Sequence, residues 1–250
     1  MPSAYGWRSG GELWIEIPEV ATFHLSAGSG VLSANPEESI DANAVLDAYY
    51  GAVLPLVVQA TQGLEVIHAS AVLVPSQGIV AGFCGISESG KSTVAYGLTA
   101  RRYEQWSDDA LAFRADRVQV ITAVGLPFTI KLRESSAAHF GASSEGIDVR
   151  DEFEWKTARL GAVFLIEPID SEHSGEAVVV ERMNSADSLH ALLPNAYRFH
   201  PQTDERRRET MRSYLELVGS IPVFAARYPR GFERLPELLD ALDERILALS

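Results

Sequence analysis

The stretch GISESGKST, residues 85–93, constrains this chain more than any other. It meets the pattern G-x-x-x-x-G-K-[ST] through Gly85, Gly90, Lys91 and Ser92. The pattern has physical content only where a strand runs into the loop and a helix leaves it. Both conditions hold here. GIVAGFC (78–84) is an apolar, β-branched run, and the amphipathic pattern of VAYGLTARRY predicts a helix that begins at Lys91. Glycines let such a loop turn tightly and approach an anion with no side chain between. The backbone N–H groups of Gly85, Ile86, Ser87, Glu88, Ser89 and Gly90 can then line a phosphate, and the helix start adds the positive end of its dipole. Lys91 supplies charge for the outer phosphates and Ser92 a hydroxyl for Mg²⁺. Thr93 is expected either at an inner phosphate or capping the helix. Glu88 is out of place beside phosphate, so its side chain is expected to point outward.

A phosphate loop specifies a nucleotide, not a reaction. Trp106-Ser107-Asp108-Asp109 follows the loop helix at an expected strand end. Strand ends beside a phosphate loop face the ligand crevice of an open α/β sheet. One carboxylate there can hold Mg²⁺ and the other can accept a proton from an attacking hydroxyl. Adjacent carboxylates repel, which raises the pKa of one of them. His68, in the strand before the loop strand, reads from its apolar neighbours equally as a core histidine.

The order HASAV, turn, G-x-S-x-x-GKST, SDD resembles the C-terminal catalytic domain of HPr kinase/phosphorylase. It resembles still more the shorter bacterial HPr-kinase-related proteins, some of which accompany peptide-modification clusters. The likeness is specific over about residues 64–113 and rests beyond that on FLIEP and IPVFAARYPR. It implies an α/β P-loop kinase domain of the HPr kinase and phosphoenolpyruvate carboxykinase-like type, with a mixed, largely β core and flanking helices. It also implies ATP, Mg²⁺, transfer to a serine hydroxyl on a small protein or peptide, and a multimer. By matching residue, Lys91 and Ser92 fall on the phosphate and metal pair, Asp108 on the catalytic aspartate, Asp109 on the neighbouring acid that supports metal or loop geometry, and His68 on the active-site histidine. Two departures stand out. Glu88 occupies a position usually held by glycine, and the E-x-R element after the aspartates is replaced by Lys131-Leu132-Arg133-Glu134. Arg133 either clamps a phosphoryl oxygen or sits on the surface at a helix start. A small-molecule kinase and a nucleotide-binding regulatory protein without transfer activity remain open as alternatives.

The rest of the chain frames this site. Its 250 residues, 46 % apolar and 22 % charged, suit one domain, with 1–62 as a β extension and helix and 63–250 as the nucleotide-binding core. The net charge of −13 repels nucleic acid. The single cysteine, Cys84, excludes an intrachain disulfide and fits a buried thiol in a reducing cytoplasm. No apolar run follows a basic start in MPSAYGWRSGGELW. Residues 44–60 are apolar but contain Asp47 and Pro55, and read as a buried helix too short to span a bilayer. The expected strands are 12–20, 21–27, 64–75, 78–84, 104–113, 117–124, 126–132, 160–168, 178–183 and 221–229. Further helices are expected over 42–61, 186–199, 204–219 (with Asp204 as N-cap) and 233–249. The basic cluster at 205–209 reads as a solvated helix face, and the polar stretch 143–155 as a loop or lid.

Overall fold

The computed structural model describes residues 4–26, 29–115, 120–143, 147–148, 154–169, 177–197 and 203–249. The chain divides into two compact units. One is Met1–Leu64 with Tyr197–Thr210, and the other is Glu65–Ala196 with Met211–Ser250.

The first unit carries a four-stranded antiparallel meander of β1 (Tyr5–Ser9), β2 (Glu12–Ile17), β3 (Ala21–Leu25) and β4 (Leu32–Pro36), two strands more than the expected hairpin. Its alternation is clean, because successive residues of a strand face opposite sides. Leu13, Ile15, Ile17, Ala21, Phe23 and Leu25 are buried on one face.

The expected helix over 42–61 is three pieces, α1 (Ala42–Ala48), a π turn (Tyr49–Val53) and α2 (Leu54–Gln62). Pro55 explains the widened turn. It brings no N–H, and its ring crowds the carbonyl four residues back. That carbonyl, Gly51 O, takes a hydrogen bond from Tyr197 Oη at 3.4 Å. Gly63 ends α2 in the left-handed conformation, as expected of a C-terminal glycine. Burial begins only at Ala52, since α1 buries no residue. The run Ala42–Gln62 has 21 residues and is long and apolar enough to cross a membrane by length and composition alone, a test that the core helix of a globular protein also passes.

The second unit is built on a nine-stranded mixed sheet. Its strands are β5 (Glu65–Ile67), β6 (Ala69–Val74), β7 (Ile79–Cys84), β8 (Glu104–Ser107), β9 (Leu111–Ala115), β10 (Ile121–Val124), β13 (Thr157–Ile169), β14 (Val179–Arg182) and β15 (Val223–Pro229). A two-stranded ribbon of β11 (Thr129–Ile130) and β12 (Ile147–Asp148) stands apart from it. The helices are α3 (Lys91–Thr99), α4 (Glu134–Phe140), α5 (Ser185–Leu192), α6 (Asp204–Ser220, of which Met211 onward belongs here) and α7 (Leu235–Leu247).

Two expected strands prove to be pairs. The run 64–75 breaks at His68, with β5 pairing β9 while β6 pairs β7 and β8. β5 therefore ends one side of the strand order and β6 lies next to the other side, with one residue between them in the chain. The sheet curls back on itself. The run 104–113 likewise divides at the aspartates, and β8 and β9 join different parts of the sheet.

Topology brings the site residues to one end. β6 is antiparallel to both β7 and β8, so β7 and β8 run parallel with α3 as their crossover. β7, β13 and β15 are parallel neighbours. The carboxyl ends of β7, β8, β13 and β15 and the start of β6 therefore share one end of the sheet.

Apolar packing fixes that frame. Phe83, Ile79, Phe164, Val94, Leu98, Leu238 and Leu242 form a buried cluster between the sheet, α3 and α7. A second cluster includes Cys84, Trp106, Leu111, Phe113, Val163, Tyr214 and Leu217. Cys84 is free and buried there, and burial pushes its thiol up to about 12. α6 is capped by Thr203, whose Oγ1 accepts from Arg206 N at 3.2 Å, rather than by Asp204, which lies inside the first turn and pairs with Arg207. Of the stretch 143–155, only Ser143, 147–148 and 154–155 lie among the described residues, and residues 117–119 and 198–199 also fall outside them.

Candidate active site

The loop leaves β7 at Gly85, which has φ 149°. A Cβ there would lie 2.6 Å from the backbone oxygen of Ile166 on β13, so no larger residue fits. Gly90 has φ 89°, and a Cβ on it would come within 2.9 Å of Tyr228 Oη. Tyr228 Oη also donates to Ser89 O at 2.9 Å, pinning the loop to the end of β15. Ser89 N donates to Ile86 O at 3.2 Å and closes the turn, with Ile86, Ser87 and Glu88 exposed.

Glu88 adopts φ 68°, which explains why glycine suits this position and costs this residue about 1 kcal/mol of backbone strain. Its side chain points outward as expected, with Oε1 3.0 Å from Arg133 Nη2. Arg133 is itself exposed, stands at the N-cap of α4 and meets Glu88. Arg230 Nη1 donates to Glu88 O at 3.4 Å.

α3 begins with no side-chain cap, because its N-cap is Gly90. Its first N–H groups, which an α-helix leaves without intrahelical partners, therefore front the loop. Thr93 does not cap the helix; its hydroxyl is 2.9 Å from Ser136 Oγ on α4. Lys91 is buried, and its Nζ donates to Gly85 O at 3.0 Å and Ile86 O at 3.1 Å. Burial lowers its pKa, and the charges of Asp109 and Asp108 oppose that shift. Ser89 Oγ is buried without a hydrogen-bond partner inside the loop.

Asp108 follows β8 and is buried. Its Oδ1 accepts from Ser70 Oγ at 2.6 Å, Ser92 Oγ at 2.9 Å and Asp109 N at 3.2 Å. Its Oδ2 accepts from Lys131 N at 3.2 Å. Burial, then the charge of Asp109, raises its pKa to about 6, and the two hydroxyls and the Lys131 N–H hold it down. Ser92 Oγ, which donates to Asp108, also lies 3.4 Å from Ser70 Oγ.

Asp109 is exposed and left-handed, with φ 62°. Its backbone oxygen lies 2.9 Å from His68 Nδ1, and its Oδ1 lies 4.0 Å from the same nitrogen. Burial lowers the His68 pKa, joined by the Lys91 charge and opposed by Asp109, which favours the neutral ring. A carbonyl only accepts, so Nδ1 carries the proton and Nε2 the lone pair.

The structure thus brings Lys91, Ser92, Asp108 and His68 to one end of the sheet with the loop, and sets Asp109 on the His68 side. The carboxylate bonded to Ser92 is that of Asp108. Ser70, Tyr228 and Arg230 are site residues that sequence reasoning missed. Ser70 follows His68 by two residues, but the strand breaks at His68, so alternation carried no signal for it. Among the described residues no cluster of three or more His, Cys, Asp or Glu side chains has metal-binding geometry. A cleft lined by Ile121, Arg159, Gly161 and Pro222 lies beside the bulge of β13, and none of the site residues lines it.

No family model and no curated protein matches this chain. Among solved structures it is similar to the HPr(Ser) kinase/phosphatase from Coxiella burnetii, at 10 % sequence identity and a TM-score of 0.40, over 74 % of this chain and 92 % of that chain.

Proposed function

We propose that this chain is an ATP- and Mg²⁺-dependent phosphotransferase that moves the γ-phosphate to a serine hydroxyl of a small protein or peptide. The observation that carries this reading is the three-way contact of Asp108, Ser92 and Ser70 beside a loop that admits only glycine at Gly85. The residues present fit the ligands. The uncapped start of α3, the buried Ser89 hydroxyl and Lys91 suit phosphate oxygens. The Ser92 oxygen and the Asp109 carboxylate suit Mg²⁺, which when bound would neutralise charge on the transferring phosphoryl group.

The chain's own residues then divide the work. Lys91 leaves the carbonyls of Gly85 and Ile86 for the phosphates. Asp108, with a pKa of about 6, is ionised at pH 7.5 and takes the proton of the acceptor hydroxyl through Oδ2, whose only donor among the described residues is Lys131 N. The serine oxygen gains the bond to the γ-phosphorus, the bond to the β-phosphate oxygen breaks, and ADP leaves. Neutral His68 is held by Asp109 O through Nδ1.

The test is label transfer. Protein, Mg²⁺ and γ-labelled ATP are incubated with a panel of serine-bearing peptides, beside Lys91→Ala. Label on serine with the parent chain, reduced at least a hundredfold in Lys91→Ala, is expected, since a charge-assisted phosphate contact of roughly 3 kcal/mol is lost. Label on low-molecular-mass hydroxyl compounds without any peptide would replace the peptide acceptor with a metabolite.

A further inference from the structure

The outer face of the N-terminal meander is not used by the phosphotransfer site. Its cross-strand register sets Trp7 opposite Trp14 and Trp14 opposite His24. The rings stack in series: Trp7 and Trp14 have centroids 6.1 Å apart with planes within 4°, and Trp14 and His24 have centroids 4.0 Å apart. The series ends at Trp7, which is 40 % exposed, beside Tyr5, which is 59 % exposed.

Trp7 lies on β1, and β1 is an edge. It pairs with β2 on one side and with no strand among the described residues on the other. Edge strands are ordinarily blunted by proline, lysine or a bulge. The opposite edge, β4, ends in Pro36. β1, YGWRS, has neither proline nor lysine, and its one arginine, Arg8, faces away from the rings by alternation and lies 3.5 Å from Ala60 O. An extended segment added there would gain main-chain hydrogen bonds, and its central side chain would stand beside Trp7 as the next member of the stack.

Charge selects the occupant. The outer face holds Glu12 and Glu16, diagonal to Trp7 on β2, and no lysine or arginine. Glu12 accepts from His24 Nε2, whereas Glu16 is exposed. A guanidinium or ammonium group beside an indole face meets both the ring quadrupole and these carboxylates. A second copy of this chain would bring its own charge of −13 against the same surface.

We propose that the open edge of β1 binds an extended cationic peptide segment by strand addition, with an arginine or lysine stacked on Trp7. This surface operates independently of the phosphotransfer reading.

The test is fluorescence anisotropy of dye-labelled Val-Arg-Val-Arg-Val against the full chain. Three comparisons accompany it: the same peptide with glutamate for arginine, the arginine peptide N-methylated at its central valine, and the arginine peptide with Trp7→Ala. Binding of the arginine peptide is expected to weaken at least tenfold in each. Trp7 is on the surface, so circular dichroism of Trp7→Ala should match the parent. Equal binding of the arginine and glutamate peptides, or binding unaffected by Trp7→Ala, overturns the proposal. Retention of full affinity by the N-methylated peptide overturns strand addition. A protein dimer in sedimentation that Trp7→Ala dissociates assigns the edge to a second copy and overturns it as well.

Discussion

Asp108→Asn is expected to abolish transfer and, at the same time, to make the protein more stable at neutral pH. The two effects share one cause. The folded chain holds the Asp108 carboxyl at about 6, above its ordinary 3.8, because the carboxyl is buried beside Asp109. The fold therefore binds this proton more tightly than the unfolded chain does. Stability contributed by the neutral form is present below pH 4, falls as pH rises toward 6, and is gone above it. The penalty above pH 6 is roughly 3 kcal/mol at 1.36 kcal/mol per pKa unit. An asparagine removes the charge and keeps an acceptor for Ser70 and Ser92, but its amide faces the Lys131 N–H and loses about 1 kcal/mol or somewhat more there. The net gain is about 1–2 kcal/mol, which raises Tm by roughly 2–8 °C for a chain of this size. Below pH 4 the gain should vanish. Calorimetry at pH 7.5 and pH 4, beside label transfer, reads both effects. Transfer should fall by about 10²–10⁴, the usual contribution of a positioned base. Full transfer by Asp108→Asn would remove Asp108 as the proton acceptor.

Gly85→Ala is expected to act in the opposite direction, damaging stability and nucleotide binding together. Its φ of 149° is a conformation that side-chain-bearing residues rarely take, and its Cβ would fall 2.6 Å from Ile166 O. The clashing atom belongs to the backbone of β13, a strand paired on both sides, so it does not swing away as a flexible side chain would. Strain of this kind costs about 1–3 kcal/mol before any movement of the sheet is counted. A total near 3–4 kcal/mol corresponds to a Tm lower by roughly 6–16 °C. Thermal unfolding followed by circular dichroism measures it. A variant as stable as its parent would mean that the loop does not sit against β13 as described.

Different parts of the site were legible in the sequence for different reasons. Gly85, Gly90, Lys91 and Ser92 are set by local geometry, since the strand, turn and helix around them lie within about twenty residues. The outward direction of Glu88 followed from charge alone, although its partner Arg133 did not. Asp108 was legible because a strand end after the crossover helix returns to the same end of the sheet as the loop. Ser70 was missed because in HASAV it reads as one more small strand residue, and only the curl of the sheet at His68 sets its hydroxyl on Asp108. Tyr228 and Arg230 reach the loop through the parallel pairing of β13 and β15, some 140 residues later in the chain, as the spans of their hydrogen bonds record. The π turn before α2 was missed, since Pro55 entered the sequence reading only as a break in an apolar run. The division of 104–113 into β8 and β9 was legible at the two aspartates, which break an otherwise apolar strand.

The measurement that tests the central claim most directly is isothermal titration of the parent chain with ATP and with AMP, each in the presence of Mg²⁺. If the loop at Gly85–Thr93 receives the outer phosphates, ATP binds and AMP binds at least tenfold more weakly, the difference resting on contacts to the β- and γ-phosphates. Folded protein that takes up neither nucleotide, or that binds AMP as well as ATP, would contradict it.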